Sequence, residues 1–462
     1  MNKNIFKAYD IRGIYPNEIN ELDVYKTAVA VCRFLKPTKL VVGSDVRLSS
    51  PSLKRAAIKA ITDQGVEVID VGEISTDMLY YAVGHFGYSG GLTITASHNP
   101  KEYNGMKIVR EESKPISSDS GLFEIRDMVL DMSDKIDELA LEGDINEALV
   151  TKLDILEKYA KKVRTFGNLE SIRPFKIVVN PNFGAGGRAL EKILEGINVE
   201  LIKLNFEPNG NFPKGRPDPL IPENREEISR LVVEHGADLG VAWDADADRC
   251  FFFTEKGEFV EGYFITALLA RIFLKRNNDQ KIVHDTRLTW AIEDMTKELG
   301  GKHVPTKAGH SFIKARMRAE NAVFGGEMSA HYYFRDFYFC DCGMIPLVMM
   351  LEYLSSHNRK FSALMHDIFW NKYFVSGEIN VQVSDVNSII EKARNTYQAN
   401  SSFIDDQDGI SLDFLSKENP KDSWRFNVRG SNTEPLIRLN VEAKSQELME
   451  KKRDELLTLI KE

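Results

Sequence analysis

Residues Gly91 to Met106 read GLTITASHNPKEYNGM, an apolar run that ends abruptly in a polar, bent loop. Leu92, Ile94 and Ala96 alternate with Thr93 and Thr95, the period of a strand with one packed face, and Asn99-Pro100 forbids its continuation. Ser97 is therefore presented at a strand end. His98 beside it can supply protons or positive charge, Asn99 can fix a phosphate or the loop, and Pro100 and Gly105 hold the bend. The pattern leaves two readings: Ser97 carries a phosphoryl group, or TASHNP is a capped turn whose side chains satisfy loop amides.

Upstream, KLVVG from Lys39, a helix opened by Ser50-Pro51, and VEVIDVG form a strand-helix-strand unit. Asp45 and Arg47 stand at the carboxyl end of its first strand, where open α/β sheets keep ligand groups. Nearer the start, KAYDIRG places Tyr9 and Arg12 in a loop before the first helix.

Downstream, KIVVN, FGAGG and VELIKL repeat the rhythm; the glycines lack the GxGxxG spacing of a dinucleotide fingerprint and suit a tight strand-to-helix turn. The following run, EPNGNFPKGRPDPLIPEN, is too rich in Pro, Gly and Asn for regular structure and reads as a lid or a spanning connection. In ADLGVAWDADADRCFFF, Asp244, Asp246 and Asp248 converge between two strands and repel one another unless a cation sits among them. All-oxygen ligation selects a hard ion, Mg2+ beside a phosphate. An EF-hand fails because Arg249 stands where that loop needs glycine; a metal-free acidic turn stays open but leaves Arg249 without a task.

A third α/β unit follows. FFFTEKGEFVEG turns a hairpin at Gly257, Tyr263 to Leu274 is expected as an amphipathic helix, and KIVHDTRLTW gives a strand carrying His284 and Arg287. KAGHSFIKARMR puts His310 at a helix start, as an acid, a phosphate donor or part of a plain turn. In GGEMSAH, Glu327 and Ser329 are expected on one face of an extended loop toward vicinal hydroxyls, with His331 on the same side. GEINVQV, ISLDF, WRFNVRG and LIRLNVEA, with helices near Val386 and at the end, read as an α+β domain with an antiparallel sheet. Its RGSNTEPLIR can ring a dianion with Arg429, Ser431, Asn432 and Thr433, and Arg438 is a further candidate.

TASHNPKEYNGMK, DADADR, GEMSAH and RGSNTEP, in this order across almost the whole chain, resemble the four signature loops of the α-D-phosphohexomutases. The resemblance implies an α/β protein of four domains, three similar α/β units with mixed sheets and a smaller α+β C-terminal domain, around a central cleft. The expected boundaries are 1–145, 146–252, 253–368 and 369–462. It implies that Ser97 is the phosphoserine and a ligand of Mg2+ with Asp244, Asp246 and Asp248. Lys107 is implied as general acid or base, a role that needs its pKa lowered. Arg12, His98 and Arg249 are expected at the reacting phosphate, Tyr9, Arg249, His310, Glu327, Ser329 and His331 around the sugar, and the Arg429 loop on the distal phosphate. A hexose 1,6-bisphosphate is the implied intermediate and activator, and the last domain is expected to close over substrate. The alanine of GEMSAH with HYYFRDF points to mannose phosphates; glucose or glucosamine phosphates, a phosphatase and a noncatalytic sugar-phosphate binder are the alternatives. Family members carry glycine spacers where this chain has Ala245 and Ala247, which are expected to adopt ordinary dihedrals. The family's strand lysine falls on His284, so that contact is unassigned.

Composition agrees with a globular chain: 462 residues, 43% hydrophobic and 28% charged. A net charge of -9 argues against nucleic acid and requires cations to be gathered locally for any anionic sugar. The N-terminal residues hold no apolar core of signal-peptide length, and no run approaches a membrane span, so a cytoplasmic monomer or homodimer is expected. Four scattered cysteines, Cys32, Cys250, Cys340 and Cys342, are read as packing residues.

Overall fold

The computed structural model describes residues 2–132, 135–431 and 436–461. They form two compact units: residues 1–259 with 331–358, and residues 260–330 with 359–462.

The first unit begins with a mixed sheet of β1 (Ile11–Ile14), β2 (Lys39–Ser44), β3 (Glu67–Glu73), β4 (Gly90–Ile94), β5 (Tyr103–Arg110) and β6 (Val150–Lys152), in the order β1–β5–β4–β2–β3–β6. Helices α1 (Glu21–Leu35), α2 (Ser50–Asp63), α3 (Thr76–Phe86) and α4 (Leu122–Asp131) accompany it. The alternation in β4 does not mark one packed face, because every residue of the strand is buried. Both α2 and α3 pack against β4, so its threonines are covered as well as its aliphatic residues; the Leu92 and Ile94 side chains each contribute about 1.5–3 kcal/mol of burial. Arg12 lies on β1, paired opposite Gly105 of β5, rather than in a loop. The cap of α2 is Ser49, with Pro51 in its first turn.

A second sheet of the same unit is built from β7 (Phe175–Asn180), β8 (Val199–Lys203), β9 (Leu239–Trp243) and β10 (Cys250–Phe253), with α5 (Leu156–Arg164), α6 (Gly186–Leu194) and α7 (Glu226–Glu234). Its strands run β10–β9–β7–β8, and β9 and β10 are antiparallel, so residues 244–249 form the turn between them. The chain passes to the second unit through β11 (Phe259–Val260).

There α8 (Gly262–Arg276), β12 (Lys281–Asp285), α9 (Trp290–Glu298), β13 (Lys302–Thr306), α10 (His310–Glu320) and β14 (Phe324–Gly326) form a parallel set with β12 between β13 and β14. Helix α8 is not amphipathic: it is buried on nearly every face from Gly262 to Leu274, as its run of Tyr, Phe, Ile and Leu allows. The hairpin β15 (Tyr332–Phe334) and β16 (Cys340–Asp341) and helix α11 (Ile345–His357) belong to the first unit. The second unit resumes with α12 (Phe361–Met365), β17 (Phe374–Val375), β18 (Ile379–Gln382), α13 (Val386–Tyr397), β19 (Phe403–Asp405), β20 (Ile410–Phe414), β21 (Trp424–Gly430), β22 (Leu436–Ala443) and α14 (Gln446–Lys461). These strands make an antiparallel sheet whose core includes Trp424, Phe426, Leu439 and Leu456. All four cysteines are buried and unbridged. No helix among the described residues is long and apolar enough to cross a membrane.

Candidate active site

The loop after β4 is held from below by one side chain. Arg47, with no exposed side-chain surface, donates from Nη2 to the carbonyls of Ser97 (2.6 Å) and Asn99 (2.7 Å) and from Nη1 to those of Pro100 (2.7 Å) and Tyr103 (2.9 Å). Its Nε pairs with Asp45 at 3.1 Å, and Asp45 also accepts from Thr95 Oγ1. Thr95 Oγ1 in turn accepts from the Ser97 amide at 2.9 Å, fixing Ser97 in a left-handed conformation with φ +51°. A non-glycine residue in that conformation is held there by its surroundings. Arg12 reaches the same loop, donating to Asn99 Oδ1 while Asp10 orients its guanidinium. Tyr9 stands half-buried just before β1. The Pro- and Gly-rich run packs here too: Arg216 Nε donates to the His98 carbonyl at 3.0 Å, and Phe212 lies under the Arg47 guanidinium.

Ser97 Oγ is 3.2 Å from Asp244 Oδ2 and 3.2 Å from His98 Nδ1, in a position with almost no exposure. Arg249 Nη2 approaches the same Nδ1 at 2.8 Å, and a guanidinium only donates, so Nδ1 is an acceptor. Burial, then Arg249, Arg12 and Arg216, hold the His98 pKa well below its ordinary value. Burial and the three guanidinium groups therefore work against a positive charge on His98, and toward Arg249 its Nδ1 accepts rather than donates.

Asp244, Asp246 and Asp248 present oxygens within 4.8 Å of one another. Lys107 Nζ, from β5, bridges Asp246 (2.7 Å) and Asp248 (2.5 Å). Burial works to lower the Lys107 pKa, but Asp246 and Asp248 outweigh it and raise it, so the lowered pKa expected of this lysine is not the one its neighbours give. Burial and the two other carboxylates push Asp244 up, whereas Lys107 and His331 overcome burial and hold Asp248 down. Asp246 Oδ1 is buried and accepts no hydrogen bond, and Asp248 Oδ1 is buried with only His331 Nε2 near it at 3.5 Å, which fits a cation among the three carboxylates. Ala247 departs from expectation, with φ +53°, because its amide closes a turn on the Asp244 carbonyl; Ala245 takes an ordinary backbone conformation.

Arg249 and His331 complete this centre. Arg249 Nε lies 3.3 Å from His331 Nε2 and 3.5 Å from Asp244 Oδ2, and His331 Nε2 lies 3.5 Å from Asp248 Oδ1. Beneath the loop, Thr76 at the start of α3 donates its amide to the Asp246 carbonyl (2.9 Å) and its hydroxyl to Asp246 Oδ2 (2.5 Å). The next residue, Asp77, is buried and accepts from Ser75, from Tyr159 (2.5 Å) and from Cys342 (3.0 Å). Burial raises its pKa to about 6, against those donors.

In the second unit the GEMSAH residues form a turn rather than an extended face: Ala330 has φ +66° and donates to the Glu327 carbonyl. Glu327 is directed inward, accepting from the Gly309 amide at 2.6 Å, with Arg287 Nη2 3.8 Å away. Ser329 is half-buried in the turn, and His331 belongs to the first unit with Arg249. His310 opens α10, its Nδ1 3.5 Å from Lys314 Nζ. Arg429 and Arg438 sit opposite each other on β21 and β22. Glu378 gathers both, together with Arg287, at 3.0–3.1 Å. Burial raises the Glu378 pKa, but the three arginines outweigh it and hold it at about 2. Ser431 Oγ accepts from Arg438 Nη2 at 3.4 Å; Asn432 and Thr433 lie outside the described residues.

The sequence places Arg47 with Asp45 among ligand groups at a strand's carboxyl end, but it does not single out Thr76, Arg216 or Glu378. Those three carry no local signal because they act on groups 51 to 170 residues away.

Fold and site together define the class, a multidomain α/β phosphotransferase. The phosphoglucomutase/phosphomannomutase α/β/α domains I, II and III match residues 3–134, 157–257 and 261–373, and the C-terminal domain of the same family matches 378–459. A phosphomannomutase of Escherichia coli is 43% identical over 463 residues, covering 99% of both chains. A protein of Xanthomonas campestris named as a phosphohexose mutase is 43% identical over 457 residues, again 99% of each. The crystal structure of a phosphoglucomutase/phosphomannomutase family protein from Burkholderia thailandensis superposes with a TM-score of 0.86 at 27% identity, covering 100% of this chain and 98% of that one. The chain belongs to the phosphoglucomutase/phosphomannomutase family.

Proposed function

We propose that the protein interconverts mannose 6-phosphate and mannose 1-phosphate, with Ser97 carrying the phosphoryl group and a hexose 1,6-bisphosphate as intermediate. The observation that carries the reading is Ser97 Oγ, buried, 3.2 Å from Asp244 and held at a left-handed bend by the Arg47 clamp. A hydroxyl fixed this way needs little reorganisation to accept or give up a phosphoryl group. Full-length relatives named phosphomannomutase support the sugar.

Asp244, Asp246 and Asp248, with Ser97, would hold Mg2+, which supplies neutralisation of charge on the transferring oxygens when bound. Arg12, Arg249 and His98 orient the phosphoryl group. Lys107 is the acid or base at the sugar oxygen; it gains that capacity once its tie to Asp246 and Asp248 is relaxed, since those carboxylates are what raise its pKa. In the second unit Arg287, Arg429 and Arg438, spaced by Glu378, offer a preassembled seat for a dianion. Glu327, Ser329, His310, His331 and Tyr9 are assigned to the sugar. Unbridged cysteines support a reducing, cytoplasmic setting.

Phosphorus NMR with Mg2+ and a trace of hexose 1,6-bisphosphate, on mannose 1-phosphate and glucose 1-phosphate in parallel, tests this. Conversion of the mannose ester to its 6-phosphate, faster than glucose and absent in Ser97→Ala, is expected. Release of free phosphate alone would replace the reading with a phosphatase, and faster glucose conversion would overturn the mannose assignment.

A further inference from the structure

His284 lies on β12, the strand that leads to Arg287; it is fully buried and close to two other side chains of the kind that can ligate a metal. In the parallel pairing of β12 and β13, His303 is level with Ile282, so His284, two residues further, shares its face of the sheet. Glu293 comes from α9, the helix that connects these two strands. One atom of each, His284, Glu293 and His303, lies within 4.8 Å of the others.

The two imidazoles face each other in a way that a hydrogen bond does not explain well. His284 Nε2 and His303 Nδ1 are 3.5 Å apart, long for a hydrogen bond between ring nitrogens. Two nitrogens on a tetrahedral Zn2+, at about 2.0–2.1 Å from the ion, are separated by about 3.3–3.4 Å. The outer nitrogen of His284 is also arranged as in a metal ligand: Nδ1 is 2.8 Å from the Asp285 carbonyl, which only accepts, so Nδ1 carries the proton and Nε2 offers its lone pair. Access exists as well. Glu293 and His303 line a cavity of about 870 Å³, and two of its cationic neighbours, Lys281 and Arg316, are paired with Glu320.

We propose that His284 Nε2, His303 Nδ1 and a Glu293 carboxylate oxygen bind a divalent transition metal ion of the Zn2+ class, clasping the β12–α9–β13 crossover. Two imidazoles and one carboxylate select such an ion over Mg2+, which prefers oxygen and six ligands. The fourth position is left to water from the cavity. The site is independent of the aspartate centre and of the sugar assignment.

Co2+ is the probe, titrated into the full chain in excess Mg2+ and followed by visible absorption. The wild type is expected to develop the d–d absorption of a four-coordinate, nitrogen-ligated ion, complete at one Co2+ per chain and abolished by Zn2+. His303→Ala, at an exposed position, and Glu293→Gln are each expected to weaken Co2+ binding by about tenfold or more, while mutase activity in Mg2+ and the far-UV CD spectrum are retained. No such absorption in the wild type, or the same absorption and affinity in His303→Ala, would overturn the proposal.

Discussion

Replacing Arg47 by lysine keeps the charge and removes the fork. The guanidinium spans four loop carbonyls and Asp45 at once. An ammonium has three donors on one atom and can keep Asp45 and at most one or two of the carbonyls. At least two carbonyls between residues 97 and 103 then lose their donor; Ser97's is buried and the other three are part-buried, so with about 1–3 kcal/mol for a buried carbonyl and less for the others, a loss of about 1–3 kcal/mol is the expected magnitude. Urea unfolding should show the first transition at a lower midpoint. Hydrogen exchange should show the amides of residues 97–104 losing protection before the core of β4 does. Because Ser97 depends on this clamp for its left-handed bend, kcat should fall about tenfold or more with KM less affected, the signature of a positioning residue. An Arg47→Lys protein that unfolds within about 0.5 kcal/mol of wild type and keeps the loop amides protected would refute the clamp.

Two other positions give sharp expectations. Asp77 has its folded pKa raised to about 6, from 3.8, so its protonated form favours the folded state. That stability is present below pH 3.8 and disappears as pH rises through about 6, so the stability of wild type relative to Asp77→Asn should fall by up to about 3 kcal/mol across this window; a pH-independent difference in urea denaturation would contradict the assignment. Ala247, buried at φ +53°, should tolerate glycine within about 1 kcal/mol, because relief of backbone strain offsets the lost methyl burial. Valine there should cost about 2–4 kcal/mol, since a β-branched residue is strained in that conformation and overpacks the turn; thermal unfolding of the two variants decides.

The chemistry of the first unit was legible because it is local. TASHNP and DADADR each place their groups within a few residues, and strand-loop-strand patterning is enough to bring the carboxylates together. What escaped the sequence is long-range. Nothing near Lys107 indicates that Asp246 and Asp248 will neutralise it, nor does the GEMSAH run show that Glu327 turns inward to the Gly309 amide. The one-face reading of β4 failed because alternation cannot distinguish a solvated face from one covered by a helix. Ala247 was expected at ordinary dihedrals because alanine allows them; the turn closed on Asp244 overrides that preference.

The distribution of cysteines has a practical consequence. Cys32, Cys250, Cys340 and Cys342 are all buried and all belong to the unit of residues 1–259 and 331–358. Under native conditions a thiol-alkylating reagent can reach them only when that unit opens, so modification rates clock its opening at α1, β10 and the β15–β16 hairpin. The thiol-free unit contributes nothing to that signal, and a single cysteine introduced on its surface would react at once, giving a selective attachment point for a spectroscopic label without removal of any native residue.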